Sequence, residues 1–290
     1  MILFDWGTYN AISTLAKAAT LGMRLTEIPP AAFNKREEDY FKNYAYVAKE
    51  AFTTITAHAP SYGLINQPKI QEKIILSLKR DIQRASLAQA EVFNIHIGRK
   101  FYNDDRDLEI VADIIKELLT VTPEKMYITV ETAYTPKDVG SLEEIKAIAE
   151  MVNCERVIPA LQLENVFVYR TKAYESGRFE KANKEVDKNF WMEVLSETLE
   201  LSHGFLSLRF SQIIGFYIGN TFVKKRVPLY KGYPDIDLLA EALAEFMVKE
   251  VKEKELPLRM HLIYTGPSDT KYEDTVMLYS EIMIRASRYL

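Results

Sequence analysis

The chain has 290 residues, of which 48% are hydrophobic and 27% are charged, the balance of an ordinary globular protein. A net charge of −4 argues against a protein that coats nucleic acid, and no apolar run is long enough to cross a membrane. Cys154 is the only cysteine, which excludes an intramolecular disulfide, and the first residues lack a secretory pattern, so we expect a cytoplasmic protein.

Short apolar or β-branched runs alternate with amphipathic stretches along the whole chain. The predicted strands are Ile2–Trp6, Arg24–Ile28, Thr53–His58, Val92–His96, Met126–Glu131, Val157–Gln162, Phe205–Arg209 and Arg259–Thr265. Eight strands with about eight helices predict an α/β fold of the (β/α)8 TIM-barrel type. Because no linker rich in glycine, proline or serine divides the chain, we expect one domain over residues 1–290. The alternative, a doubly wound open sheet, would usually begin with a glycine-rich turn, which WGTYNAIS lacks.

The helices are predicted from apolar residues that recur at helical spacing between the strands. One such stripe consists of Ile70, Ile74, Leu78, Ile82 and Ala85. Ser141 and Glu144 have the spacing of a capping box, so a helix is expected to begin there. Asp235 is expected to cap a later helix.

Three consecutive predicted strands end in side chains that bind divalent metals: His58, His96 and Glu131. Because the C-terminal ends of barrel strands meet at one mouth, we expect these two imidazoles and one carboxylate to form a ligand set for an ion such as zinc. The structural alternative is a hydrogen-bonded remnant in which Glu131 pairs with Arg209.

The next three strands end in side chains of a different kind, which are Gln162, Arg209 and Thr265. Alternation along each strand predicts a polar layer beneath the mouth, with Asn94 below His96 and Thr129 below Glu131. Six strand ends are therefore expected to converge on one polar mouth.

Three further residues, Glu164, Glu27 and His261, are considered as candidates for the site. Glu164 is a candidate replacement ligand, and Glu27 is either a mouth residue or part of a salt bridge. His261 is expected to be a packed core histidine rather than a ligand. His203 precedes Gly204 in a predicted loop, and we expect no role for it.

Six segments of the chain resemble endonuclease IV, the abasic-site DNA endonuclease, in their order and spacing. They are HAPSYGLINQ, SLKRDIQRA, HIG, ETAYTPKDVGSLEEI, LRFSQI and KKRVPLYKG. The resemblance covers most of the chain from about the third strand onward. It implies a xylose isomerase-like TIM barrel with three metal ions, usually zinc, which cut the phosphodiester beside a missing base.

The resemblance implies that one of the three metal sites is kept and that two are lost. The first site is formed by His58, His96 and Glu131. For the second site the family has an Asp where this chain has Gln162, a His where it has Arg209 and a Glu where it has Thr265. For the third site the family has a His where this chain has Asn165, and an Asp-x-His pair near Lys224 and Arg226. A guanidinium has no lone pair to donate and stays charged, so Arg209 and Arg226 cannot bind metal. We therefore expect one divalent metal, zinc.

Arg209 and Arg226 are expected to hold a substrate phosphate and, with Glu131, to act as the catalytic residues. The expected substrate-binding residues are Gln162, Asn165, Arg170 and Lys224. If the protein is active, the metal would activate a water molecule as the nucleophile.

The loops expected at the mouth have a positive charge bias. Residues 99–103, 166–186 and 213–234 contain eleven Lys or Arg against three Asp or Glu, with aromatic residues between them. This composition is typical of surfaces that bind a phosphate backbone and stack on bases. A solvated charged face is the alternative.

The expected function is that of a divergent endonuclease IV-like, metal-dependent phosphodiesterase whose activity is reduced, altered or lost. Its expected partner is a phosphate-containing ligand such as DNA, and we expect a monomer. One alternative is a non-catalytic protein that binds phosphate or nucleic acid on the same barrel. Another is a sugar isomerase or epimerase, although Glu131 is the only residue present of the Glu-Asp-His-Glu metal set that such enzymes generally use.

Overall fold

The computed structural model of the chain describes residues 2–61, 66–219, 221–254 and 258–289. Residues 62–65, within the segment HAPSYGLINQ, lie outside the described residues. Within the described part of the chain, no helix is both long and apolar enough to cross a membrane.

The strands predicted from the sequence are present, with small differences at their ends. The strands are β1 (Ile2–Tyr9), β2 (Leu25–Ile28), β3 (Thr54–His58), β4 (Val92–Ile95), β5 (Tyr127–Glu131), β6 (Val157–Gln162), β7 (Phe205–Phe210), β8 (Gln212–Ile218), β9 (Thr221–Val227) and β10 (Leu258–Tyr264). Eight of them form a closed barrel in the order β1-β10-β7-β6-β5-β4-β3-β2. The predicted (β/α)8 fold class is therefore confirmed.

Helices connect the barrel strands along the chain. They are α1 (Leu15–Thr20), α2 (Pro30–Lys35), α3 (Glu38–Ala48), α4 (Pro68–Leu87), α5 (Arg106–Leu119), α6 (Leu142–Val152), α7 (Leu163–Arg170), α8 (Ala173–Ser176), α9 (Phe179–Lys184), α10 (Lys188–Leu201), α11 (Ile236–Lys254) and α12 (Lys271–Ala286). The apolar stripe predicted for α4 is buried at Ile74, Leu78, Ile82 and Ala85. Ile70 is 37% exposed, so the stripe begins one turn later than predicted.

The chain divides into two compact units, and each has a buried core. The first unit is Tyr9–Ala160, in which β2, β3 and β4 are buried along their whole length. The second unit combines Met1–Thr8 with Leu161–Leu290, and all six residues of β7 are buried there. Strands covered on both faces are typical of parallel sheets flanked by helices. The expectation of one domain over residues 1–290 stays a prediction.

Both predicted helix caps are confirmed. Ser141 Oγ accepts a bond from the backbone of Glu144 at 3.1 Å, and Glu144 Oε2 accepts one from the backbone of Ser141 at 3.0 Å. Asp235 Oδ1 accepts bonds from the backbones of Asp237 and Leu238 at the start of α11. These side chains satisfy backbone N–H groups that have no partner inside the helix.

The expectation of loops at residues 166–186 and 213–234 is wrong in large part. The first segment contains most of α7 together with α8 and α9, and the second contains an antiparallel hairpin of β8 and β9. The β-branched and aromatic residues of IIGFYI and TFV, separated by the two residues Gly-Asn, are a hairpin signal in the sequence.

His261 on β10 is a packed core residue, as the sequence predicted. Its side chain is fully buried, its ring meets the ring of Phe205 edge-on at 4.7 Å, and neither ring nitrogen has a hydrogen-bond partner among the described residues. Burial, followed by the positive charge of Arg259, holds the pKa of His261 well below its ordinary value of 6.5. The folded protein therefore keeps this imidazole neutral.

We expect the free energy of unfolding to fall as the pH drops below about 6.5, since His261 then takes up a proton in the unfolded chain but not in the folded one. The slope from this residue is at most about 1.4 kcal/mol per pH unit. Urea unfolding at several pH values should show a flatter dependence for His261→Leu than for the unchanged protein. His203→Asn, which removes an exposed histidine, is the control, and an equal flattening there would contradict the assignment.

Candidate metal centre

His58, His96 and Glu131 come together at the C-terminal ends of three neighbouring strands in the first unit. His58 is the last residue of β3, Glu131 is the last residue of β5, and His96 directly follows β4. In the parallel register, Asn94 on the middle strand lies beside both His58 and Thr129. One ligand atom from each of the three side chains lies within 4.8 Å of the others.

The carboxylate of Glu131 lies between the two imidazoles. Its Oε2 is 3.2 Å from Nε2 of His58, and its Oε1 is 3.6 Å from Nδ1 of His96. Two atoms that are each about 2.1 Å from one tetrahedral zinc ion lie about 3.4 Å apart. The separations of the carboxylate from the two rings are therefore those of ligands that share one ion.

Exposure differs between the two histidines. His58 and Glu131 are 6% and 4% exposed, whereas the side chain of His96 is 34% exposed. The cluster is thus buried on one side and accessible on the other. Accessibility on one side is what a metal site needs if a water molecule or a substrate is to reach the ion.

The backbone fixes the position of a proton on His58. Its Nδ1 lies 2.7 Å from the carbonyl oxygen of Ala59, which can only accept, so Nδ1 carries a proton. In a neutral ring Nε2 then has a lone pair, and this lone pair faces the carboxylate of Glu131. Such a contact is repulsive unless positive charge accompanies it, either as a second proton on the ring or as a bound cation.

A short chain of hydrogen bonds orients Glu131 from below. Nδ2 of Asn94 donates to Oε2 of Glu131 at 2.7 Å, and the hydroxyl of Thr129 donates to Oδ1 of Asn94 at 2.9 Å. Asn94 and Thr129 are at most 1% exposed, so water does not compete for these bonds. The predicted placement of Thr129 and Asn94 in a polar layer agrees with these contacts. Partners of this kind fix the orientation of a metal-binding carboxylate.

The loop after β5 is held against the strand end at Gly140. The φ of Gly140 is +144°, and a Cβ at this position would lie 2.8 Å from the backbone nitrogen of Ala133 and 3.0 Å from the carbonyl oxygen of Glu131. Only glycine allows this approach. The backbone of Val139 also donates to the carbonyl oxygen of Gly98, which joins the loops after β4 and β5. The segments that follow His96 and Glu131 are therefore tied together.

The donor set fits a divalent ion of the zinc type. Imidazole nitrogen with one carboxylate is a common zinc set, and three protein ligands leave a coordination position for substrate or water. Ions such as Mg²⁺ prefer sets made of oxygen atoms. The observation in this structure that fits a bound cation is the 3.2 Å approach of Nε2 of His58 to the carboxylate of Glu131, on a ring whose Nδ1 donates to Ala59.

Residues at the ends of β6, β7 and β10 form a buried network within the second unit. Nε of Arg209 donates to Oε1 of Gln162 at 3.1 Å, and Nε2 of Gln162 donates to Glu164 at 2.6 Å and to the hydroxyl of Thr265 at 3.0 Å. The hydroxyl of Ser211 also donates to Glu164, at 2.6 Å. Glu164 is thus engaged by Gln162 and Ser211, and this fully buried position is not part of the cluster formed by the two histidines and Glu131.

The other predicted substrate residues lie in separate places. Lys224 on β9 donates to the side chain of Asn165 on α7. Arg170, at the end of α7, forms an ion pair with Glu197 on α10. Arg226 is exposed on β9 and forms no ion pair within the described parts of the chain. Their roles in substrate binding stay predictions.

Two residues considered from the sequence, Glu27 and His203, lie outside the contacts described above, and two groups that form such contacts were not predicted. Glu27 is buried at 1% exposure on β2, and His203 is exposed with a φ of +51° in the loop before β7. Ser211 was not among the predicted site residues, although a hydroxyl beside a strand end is a usable signal. The carbonyl group of Ala59 was not predicted either, and no sequence pattern can single it out because every residue has one.

Comparison with known proteins places the chain in a family and gives a relative by sequence. The sequence model of a family described as xylose isomerase-like TIM barrel matches residues 15–258. The uncharacterized protein MJ1455 of Methanocaldococcus jannaschii is 36% identical over 286 residues, which are 98% of this chain and 90% of the relative.

Solved structures share the fold at low sequence identity. A D-tagatose 3-epimerase-like protein has a TM-score of 0.70 at 12% identity, covering 99% of this chain and 100% of its own. Endonuclease IV from Thermus thermophilus has a TM-score of 0.62 at 14% identity, covering 98% of each chain. The IOLI protein, in a structure with a binding zinc atom, has a TM-score of 0.61 at 14% identity, covering 100% of this chain and 98% of its own. These likenesses show the fold alone.

We expect Asn94→Leu to lower the affinity for zinc by about 10- to 100-fold, the usual effect of removing a group that orients a metal ligand. Thr129→Val should have a smaller effect in the same direction, because it acts on Glu131 only through Asn94. Competition with a chromophoric chelator measures both affinities. Thr122→Val, which removes a buried hydroxyl bonded to the carbonyl of Leu118, is the matched control. Unchanged zinc affinity in Asn94→Leu would show that Glu131 does not depend on it.

Proposed function

The chain belongs to the xylose isomerase-like TIM barrel family, and we propose that it is a hydrolase of phosphate esters that uses a single divalent ion, zinc. The observation that carries the proposal is the cluster of His58, His96 and Glu131, in which Nε2 of His58 lies 3.2 Å from a carboxylate oxygen. When bound at such a set, a divalent ion polarises a substrate oxygen and makes water more acidic.

The residues of the cluster have distinct roles in this proposal. His58 is held by the carbonyl oxygen of Ala59, so that Nε2 remains available as a ligand. Asn94 holds one oxygen of Glu131, which keeps the carboxylate in place while the ion is absent. His96 lies on the accessible side, where substrate would approach. The chain therefore has both a rigid part and an open part of a metal site.

The donor chemistry favours hydrolysis over sugar isomerisation. Two imidazoles with one carboxylate resemble hydrolytic zinc sites, whereas isomerases of this fold generally use a set dominated by carboxylates. The later strand ends supply Gln162, Arg209 and Thr265, and of these the guanidinium cannot bind metal. We therefore propose one ion, with an endonuclease IV-like phosphodiester as the bond to be cut.

Fixed positive charge in the second unit is proposed to bind the phosphate of the substrate. Arg209 is 3% exposed, and its bond to Gln162 holds the plane of the guanidinium. Arg226 is exposed on the hairpin and directly follows Lys224 and Lys225 in the sequence. A guanidinium binds phosphate through two parallel hydrogen bonds, which a lysine does not.

Protein purified without added metal or chelator should contain about one zinc per chain, and a variant with both His58→Ala and His96→Ala should contain almost none, because two of three ligands are lost. Elemental analysis by mass spectrometry measures the content. His203→Asn, which alters no member of the cluster, should keep its zinc.

The same preparations should differ on abasic duplex DNA, with nicking by the unchanged protein and none by the double variant. Equal nicking by both would mean that any cleavage comes from a contaminant. Bound zinc without turnover would contradict the hydrolase and favour a binding protein on the same barrel. Turnover of a ketose or aldose instead would favour a sugar isomerase or epimerase.

Arg209→Ala and Arg226→Ala should each weaken the binding of inorganic phosphate, by about tenfold if one charge-assisted hydrogen bond is lost, and should leave the zinc content unchanged. Titration calorimetry measures the affinity. Arg209→Lys tests whether charge alone suffices, and Lys225→Ala, on the opposite face of β9 from Arg226, is the matched control. Phosphate affinity that is equal in all variants would remove both arginines from the proposal.

A further inference from the structure

A cavity of about 490 Å³ lies in the second unit beside α9 and the β8–β9 hairpin. Its walls include Phe179, Ile214, Gly215 and Tyr233. Binding sites for small molecules typically measure about 300–1,000 Å³, so the space suits a ligand of nucleotide size. The cavity has no residue in common with the metal cluster.

The charge of the cavity is mostly positive. Arg178, Lys181 and Lys184 line it, against one carboxylate, Glu180. Lys184 lies 3.0 Å from Glu180, but both side chains are more than 70% exposed, so water screens this pair. Arg178 forms no ion pair within the part of the chain that the structure describes. The cavity therefore repels metal ions and favours an anion.

The apolar part of the cavity is closely packed. Phe179 is 3% exposed, and its ring meets that of Tyr233 edge-on at 6.2 Å. A Cβ on Gly215 would lie 2.5 Å from the ring of Phe179, so β8 can approach this ring only because residue 215 has no side chain. Ile214 beside it is 37% exposed. The result is an apolar surface next to exposed cationic side chains.

We propose that this cavity binds a nucleoside phosphate. The guanidinium of Arg178 and the two lysines match the phosphate groups in charge, and a guanidinium pairs with phosphate through two hydrogen bonds. The aromatic and aliphatic wall matches a flat base, which gains from contact with rings and apolar side chains. A ligand with charge alone would leave the apolar wall exposed, and a ligand with a base alone would leave the guanidinium of Arg178 without a partner anion.

Titration calorimetry with ADP, in the absence of magnesium, tests the proposal on the complete protein. ADP should bind more tightly than either adenosine or inorganic pyrophosphate, because each of these offers only one half of the match. Arg178→Ala should weaken ADP binding about tenfold, the loss expected for one charge-assisted hydrogen bond. Ile214→Glu should also weaken it, by placing a negative charge at the apolar wall.

Arg288→Ala is the matched control, since Arg288 is an exposed arginine that does not line the cavity, and its ADP affinity should be unchanged. Unfolding temperatures of all variants show whether any loss of binding reflects loss of the fold. Absence of ADP binding, pyrophosphate binding as tight as that of ADP, or equal ADP affinity in Arg178→Ala would each overturn the proposal. A single-stranded oligonucleotide that binds far more tightly than ADP would overturn it in favour of a nucleic-acid surface.

Discussion

The contact between Nε2 of His58 and the carboxylate of Glu131 is the constraint on which the site depends. Nδ1 of His58 donates a hydrogen bond to the carbonyl oxygen of Ala59, so a neutral His58 would present the lone pair of Nε2 to a carboxylate oxygen at 3.2 Å. With both imidazoles neutral, the cluster carries one negative charge where His58 and Glu131 are almost fully buried. Burying charge is costly unless opposite charge and hydrogen bonds accompany it, so positive charge beside Glu131 stabilises the cluster. A divalent cation supplies that charge and can be held by the same atoms, which fits a metal site.

The barrel produces this contact through the spacing of its strands. Neighbouring strands lie about 4.8 Å apart, and β4 lies between β3 and β5. The backbones of His58 and Glu131 are therefore two strand spacings apart, and the two residues meet only through their side chains. The strand between them contributes Asn94 at the level of His58, and its short amide occupies the space below the contact. His96 comes one residue after the end of β4 and reaches the carboxylate from the accessible side. Backbone register thus decides which side chain is a ligand and which is a support.

Much of this was predictable from the sequence, because the patterns that matter are local. Alternating strands and helices predict the barrel, and the residue at the end of each strand predicts His58, His96 and Glu131 as one cluster. The contacts that were missed join distant segments or involve the backbone, as in the bond from His58 to the carbonyl of Ala59. The hairpin at residues 212–227 was missed because its lysines and arginine interrupt the alternation of its second strand. The network around Arg209 was predictable in part, since the strand ends give Gln162, Arg209 and Thr265, whereas Ser211 joins it only through its bond to Glu164.

Anomalous diffraction from a crystal of the protein, recorded above and below the zinc absorption edge, tests the central claim most directly. The account predicts one anomalous peak per chain, surrounded by Nε2 of His58, a nitrogen of His96 and an oxygen of Glu131, at about 2.0–2.2 Å from each. Crystals grown with zinc that show no peak there, with His58 donating a second proton to Glu131 instead, would contradict it. A peak held by Glu164 and other residues in place of this cluster would contradict it equally.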